Sequence, residues 1–140
     1  MSMKNINVNN LDLNEKKHIL HLVSDLKKIA NEQKWISQYD KDSDSFVLRL
    51  PQLSKNSHKK YFGDEFAFYI NDKDYVEGVF IEYFASNFIS HNKGFNDIIK
   101  NIKSKKENED IIEFKRGETN KIAAKLEDIM INSFIGAACV

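Results

Sequence analysis

At Trp35 the hydrophobic period of the chain changes from about 3.6 to 2, and strand-like runs recur as far as Phe84 around a polar segment at 52–64. Successive side chains on a strand point to opposite faces, so these runs are expected to form a sheet whatever the two ends do. Trp35–Asp40 reads as a first strand, closed by the turn residues Lys41, Asp42, Ser43 and Asp44. Ser45–Leu50 alternates, with Phe46, Leu48 and Leu50 on one face and Val47 and Arg49 on the other. Pro51, the single proline, stops that strand or marks an edge. Residues 52–64 are polar and predict a loop. Glu65–Ile70 predicts a third strand and Asn71–Asp74 a second turn. Tyr75–Phe84 is a fourth strand, with Val76, Phe80 and Phe84 set against Val79, Ile81 and Tyr83. A strand that is apolar on both faces belongs in the middle of a sheet, with a helix over at least one side.

Helical spacing flanks this block. Ile19, Leu22, Val23, Leu26, Ile29 and Ala30 form a stripe that predicts one helix from Leu13 to Gln33, with Asp12 as N-cap and Glu15 at the capping-box position. Ser86–Lys93 reads as connecting chain. After Gly94, residues Phe95, Ile98, Ile99 and Ile102 predict a second helix. Opposite charge blocks at Lys103–Lys106 and Glu107–Asp110 break it, and Asp110–Phe114 fits either a short strand or part of a helix. The last helix is expected over Asn120–Phe134. The fold class is therefore α+β: a four-stranded antiparallel meander flanked by an N-terminal helix and two C-terminal helices. Residues 1–11 are expected to be a flexible arm, 12–134 a single domain and 135–140 an apolar tail.

Charge narrows the function classes. The 21 Lys and Arg balance 21 Asp and Glu, so no global positive field draws the chain onto nucleic acid or anionic lipid. Arg, the better fork for phosphate, occurs only at Arg49 and Arg116. The lone Cys139 excludes an intrachain disulfide and any zinc spacing. The start of the chain has no apolar leader, and no run approaches a membrane span, which predicts a cytoplasmic protein with no membrane partner.

Two segments carry a resemblance. Tyr39-Asp40, the turn to Asp44 and the alternating Ser45–Leu50 resemble the opening of the DUF2283-like family of small bacterial proteins. Val76–Ser86, with Gly78 inside an apolar strand and Ala85-Ser86 after it, is similar to that family's second signature. The resemblance covers residues 35–91 and implies a small antiparallel sheet with a covering helix. It implies no chemistry. The longer Pro51–Asp64 loop and the helices at both ends depart from the pattern.

The candidate sites are few. Asp40, Asp42 and Asp44 have the spacing of the first calcium ligands of an EF-hand, but Ser45 stands where glycine is needed and Pro51 where the bidentate Glu is needed. An acidic turn is the expectation. Glu15, His18, His21 and Asp25 share one side of the first helix without a metal-binding motif, and read as a solvated face. A carboxylate pair would need Glu65 to meet Glu82 across the sheet. No catalytic, cofactor-binding or metal-binding residue is expected, and no nucleotide-binding glycine loop or nucleophile motif occurs. Lys55, His58, Lys59 and Lys60 make a basic loop beside Tyr61 and Phe62, a candidate anion or nucleic-acid site. The 16 aromatic residues (10 Phe, 5 Tyr, 1 Trp) are the strongest oddity, because one helix layer covers only one face of a sheet. Tyr69, Tyr83, Phe88, Phe134 and Ile135 are the candidate protein interface.

The leading expectation is a non-enzymatic binding module of a bacterium or phage, antitoxin-like or immunity-like, acting by contact with a protein partner or by homodimerisation. The alternatives are a nucleic-acid or nucleotide-binding module using Lys55–Lys60, and a small enzyme with a composite Glu/His site.

Overall fold

A computed structural model describes residues 13–61, 66–97, 100 and 110–132. The α+β class holds, but the sheet has six strands instead of four: β1 (Ile36–Asp40), β2 (Ser45–Arg49), β3 (His58–Tyr61), β4 (Phe66–Ile70), β5 (Val76–Glu82) and β6 (Ile111–Glu113). All pairings are antiparallel. The spatial order β3-β4-β5-β2-β1-β6 is not a simple meander. β3, β4 and β5 follow one another as neighbours, and β5 then returns to pair with β2, which makes β2–β5 a Greek key. The strand missing from the sequence reading is β3, inside the expected loop. It is a sheet edge whose Lys59 and Lys60 leave no apolar alternation to read.

Residues paired across the strands share a face. Tyr39, Phe46, Leu48, Phe66, Phe68, Val79, Ile81 and Ile112 point to the inner face and are buried. Helices α1 (Leu13–Ser24), α2 (Leu26–Glu32) and α4 (Arg116–Met130) pack there. Two contacts fix this side: Lys60 Nζ donates to Glu15 of α1 at 2.7 Å, and Ser37 of β1 shares a buried 2.7 Å hydrogen bond with Thr119 of α4.

The expected first helix is broken at Asp25. Ser24 Oγ donates to the Leu20 carbonyl at 2.9 Å, the kind of side-chain back-bond that bends helices. The buried stripe Ile19, Leu22, Val23, Leu26 and Ala30 continues through the bend. α2 ends in a Schellman cap: the Trp35 amide bonds the Ala30 carbonyl at 2.8 Å and Lys34 takes the left-handed conformation at φ 57°. The last helix starts four residues earlier than expected. Glu118 accepts from the Lys115 amide, and Thr119 is held in the core by Ser37.

Helical turns also replace the connecting chain after β5. A π-helical segment (Phe84–Phe88) runs into the short α3 (Ile89–His91) and a 3-10 turn (Lys93–Phe95). Tyr83 precedes them at φ 52°, so the strand alternation stops there and Phe84 swings into the core. Phe84 stacks on Phe46 at 4.7 Å and on Phe88 at 5.7 Å, and meets Phe95 edge-on at 6.1 Å. Phe80 and Phe84, expected on one side, therefore face opposite ways. The short strand at Ile111–Glu113 resolves the Asp110–Phe114 alternative in favour of strand. Ile98, Ile99, Ile102, Asp12, residues 1–11 and the tail 135–140 lie outside the described residues.

Candidate functional site: the outer face of the sheet

The inner face accounts for the helices, and no described helix packs on the other side. The outer face is a grid. One row runs Tyr61, Ala67, Phe80, Val47, Gln38 and Glu113 from β3 to β6. A second row, toward one end of the strands, runs Lys59, Tyr69, Gly78, Arg49 and Ile36. A third row, toward the other end, holds Glu82, Ser45, Asp40 and Ile111.

Phe80 is the centre of this face. Tyr61 and Tyr69 meet its ring edge-on at 6.4 Å and 6.3 Å, and Lys59 Nζ lies 4.0 Å from its centroid. That ammonium closes a cation–π contact over the aromatic cluster. Tyr61 donates its hydroxyl to Glu82 Oε1 at 2.8 Å; burial, and then the Glu82 carboxylate, push the Tyr61 hydroxyl up to about 12. Burial also raises Tyr69, against a smaller opposing effect of the Arg49 guanidinium.

Gly78 lets this face form. A Cβ at that position would lie 2.7 Å from Arg49 Cβ and 3.0 Å from the Leu48 carbonyl oxygen. Its cross-strand neighbours Tyr69 and Arg49 supply the side chains that the glycine lacks. The register between β4 and β5 shifts just beyond it, between Tyr69 and Ile70.

At that shift the Glu77 carboxylate turns inward and is buried. It accepts from the Ser54 amide at 2.9 Å, from the Ser54 hydroxyl and from Asn71 Nδ2 at 3.0 Å. Burial pushes Glu77 up, but these donors outweigh it and hold the carboxyl below its ordinary range. Glu77 thus ties the β2–β3 connection to the β4–β5 turn. It also lies beside a half-open groove of about 420 Å³ shared with His18, His21, Asn71 and Tyr75 over Leu22 and Val76.

The other candidates are dispersed. Asp44 of the acidic turn is an anchor. Its carboxylate accepts from Tyr39 Oη at 2.7 Å, the Ala85 amide at 2.8 Å, the Ser86 amide at 3.2 Å and Ser86 Oγ at 2.6 Å. The β1–β2 turn and the segment that follows β5 meet at this carboxylate. Glu15 is in the ion pair with Lys60, His18 meets the Tyr75 ring at a tilt with centroids 4.8 Å apart, and His21 is exposed beside it. Among the described residues, no three His, Cys, Asp or Glu group to hold a metal ion. Glu65 and Cys139 lie outside the described residues.

The basic loop is split by strand alternation. His58 and Lys60 are directed to the inner side of β3, Lys59 to the outer side, and Lys55 is exposed in the connection before it. Of the expected interface residues, Tyr69 is half-buried on the outer face and Tyr83 is exposed at the end of β5. Phe88 is fully buried between Phe84 and Phe95, so it is a core residue rather than a surface one. Phe134 and Ile135 lie outside the described residues. Phe80 and Tyr61, the middle of the cluster, were not singled out by the sequence reading. Their signal is the outward register of Phe80 opposite Ala67 and Val47.

In comparisons with known proteins, no family model, no curated protein and no solved structure matches this chain. No helix among the described residues is long and apolar enough to cross a membrane.

Proposed function

We propose that the protein is a non-enzymatic binding module that works by protein–protein contact, with the outer sheet face as its contact surface. The observation that carries this reading is the Phe80 cluster. Three aromatic rings and a lysine are gathered on a sheet face against which no described helix packs. Aromatic anchors beside charged groups are the usual make-up of a protein contact. Chemistry draws less support. The best-placed carboxylates, Asp44 and Glu77, have their oxygens occupied by donors of the fold itself. The nucleic-acid reading through Lys55, His58, Lys59 and Lys60 is also weaker, because Lys60 is paired with Glu15 and Lys59 lies over Phe80.

The test is a photo-crosslinking amino acid placed at Tyr69, on the outer face, and separately at Asn31, exposed on α2, in cells of the native host. Protein adducts from position 69 and none from position 31 are the expected result. No adduct from position 69, or equal adducts from both, would overturn the reading.

A further inference from the structure

The charges on the outer face are sorted by row. The row of Lys59 and Arg49 is basic, the row of Glu82 and Asp40 is acidic, and the Phe80 row between them is largely apolar. We infer that the occupant of this face is a second copy of the same chain, docked about a two-fold axis that runs across the strands along the Phe80 row. This rests on the proposed use of the outer face as a contact surface, and it names the partner.

A two-fold axis lying in the contact plane along the Phe80 row exchanges the two outer rows. Arg49 of one copy then faces the space between Glu82 and Asp40 of the other, and the reverse contact is made at the same time. Phe80 and Val47 meet their equivalents near the axis, while Ala67 of the same row is fully buried. An isologous interface needs a surface complementary to itself, and a face with basic and acidic rows on either side of an apolar row meets that need. Two sheets stacked this way run aligned, as in sandwiches.

The sheet edges are poorer routes to association. β3 presents Lys59 and Lys60 along its edge and β6 has only three residues, both of which are features that blunt edge pairing. The face is also small. Six strands at ~4.8 Å spacing and ~17 Å of strand length give roughly 400 Å² of projected area on each copy, about half the share of a standard specific contact. The dimer is accordingly expected to be weak, with a dissociation constant on the order of micromolar.

The experiment is sedimentation equilibrium of the full chain from about 1 to 100 μM, a range chosen to bracket that affinity. It uses wild type, Arg49→Glu, Glu82→Lys, the double variant R49E/E82K and an equimolar mixture of the two single variants, each checked by thermal melting for folding. Wild type is expected to be a dimer at the upper concentrations, weakened by added salt. Each single reversal is expected to weaken it roughly a hundredfold, because like charges then face each other twice per dimer. The double variant and the mixture are expected to recover the dimer, and the mixture stays informative if the double variant misfolds. A wild type that is monomeric at 100 μM, or a dimer indifferent to both reversals, overturns the second copy as occupant. Adducts of position 69 with a different protein would then leave the contact surface standing with another partner, whereas no adducts would remove both.

Discussion

The hydroxyl of Tyr39 donates to Asp44 at 2.7 Å across the β1–β2 turn, and the same carboxylate holds the start of the helical turns after β5. Asp44 is left-handed, with φ 51°, and its carbonyl accepts the Phe84 amide at 2.9 Å. One residue thus joins the hairpin to the far end of the central strand. Asp44→Ala is expected to cost about 2–3 kcal/mol, because it strands several donors and places an alanine in a left-handed position. Asp44→Asn, which tolerates that backbone and keeps part of the bonding, is expected to cost less. Urea denaturation of the two variants checks the order, and equal losses would contradict the anchoring role.

Acid stability follows from two carboxylates. Burial raises both Asp44 and Glu77, but the surrounding donors outweigh it and leave both below their ordinary values of 3.8 and 4.5. The folded state therefore binds fewer protons than the unfolded state in this range, and stability rises with pH. The contribution is fully present above about pH 5 and is lost as pH falls through the ordinary values toward the depressed ones. Urea midpoints measured from pH 6 to pH 3 are expected to fall, with a shallower fall for Asp44→Asn. An unchanged slope in that variant would remove Asp44 as a source.

Lys34 caps α2 in a conformation that suits glycine. Lys34→Gly relieves the left-handed strain at some cost in unfolded-chain entropy, with a net gain of about 0.5–1 kcal/mol. Thermal melting reads this as a rise in midpoint. A fall would mean that the lysine side chain contributes more than its backbone costs.

Gly78 makes the opposite prediction. A methyl group there would lie 2.7 Å from Arg49 Cβ, which is fixed to the β2 backbone. Gly78→Ala is expected to cost about 1–3 kcal/mol through separation of β2 and β5. Chemical denaturation checks it, and a neutral result would show that the two strands slide apart without loss.

The strands with apolar alternation were legible in the sequence. Phe46 and Leu48 on β2 and Val79 and Ile81 on β5 do face the same core. β5 was correctly read as central from its two apolar faces. β3 was not legible, since an edge strand with Lys59 and Lys60 reads as a polar loop. The swing of Phe84 away from Phe80 was hidden as well. It depends on a left-handed Tyr83, and tyrosine carries no sequence mark for that conformation. The outer cluster was half visible: Tyr69 stood out, while Phe80 was assigned with Phe84 to one side. The helical turns were missed: Phe84 was placed in the fourth strand and Ser86–Lys93 reads as connecting chain, because between those two residues only Phe88 and Ile89 are apolar. Asp44 was read as turn chemistry, because its partners Ala85 and Ser86 are brought to it only by the pairing of β2 with β5.

The order of the strands also sets the order in which the molecule can assemble. The β1–β2 hairpin and the β3–β4–β5 run are each made of near neighbours in the chain. The seam between them pairs Ser45 with Glu82 and Arg49 with Gly78, across the whole intervening run. Closing that seam costs more loop entropy than either local run, and only the β1–β6 pairing of Tyr39 with Ile112 spans more of the chain, so the seam forms after the hairpins and before β6 completes the sheet. Until it closes, the inner faces of β2 and β5 have no shared core, and a nascent chain that stops short of Val79 leaves Phe46 and Leu48 without their cross-strand partners Ile81 and Val79.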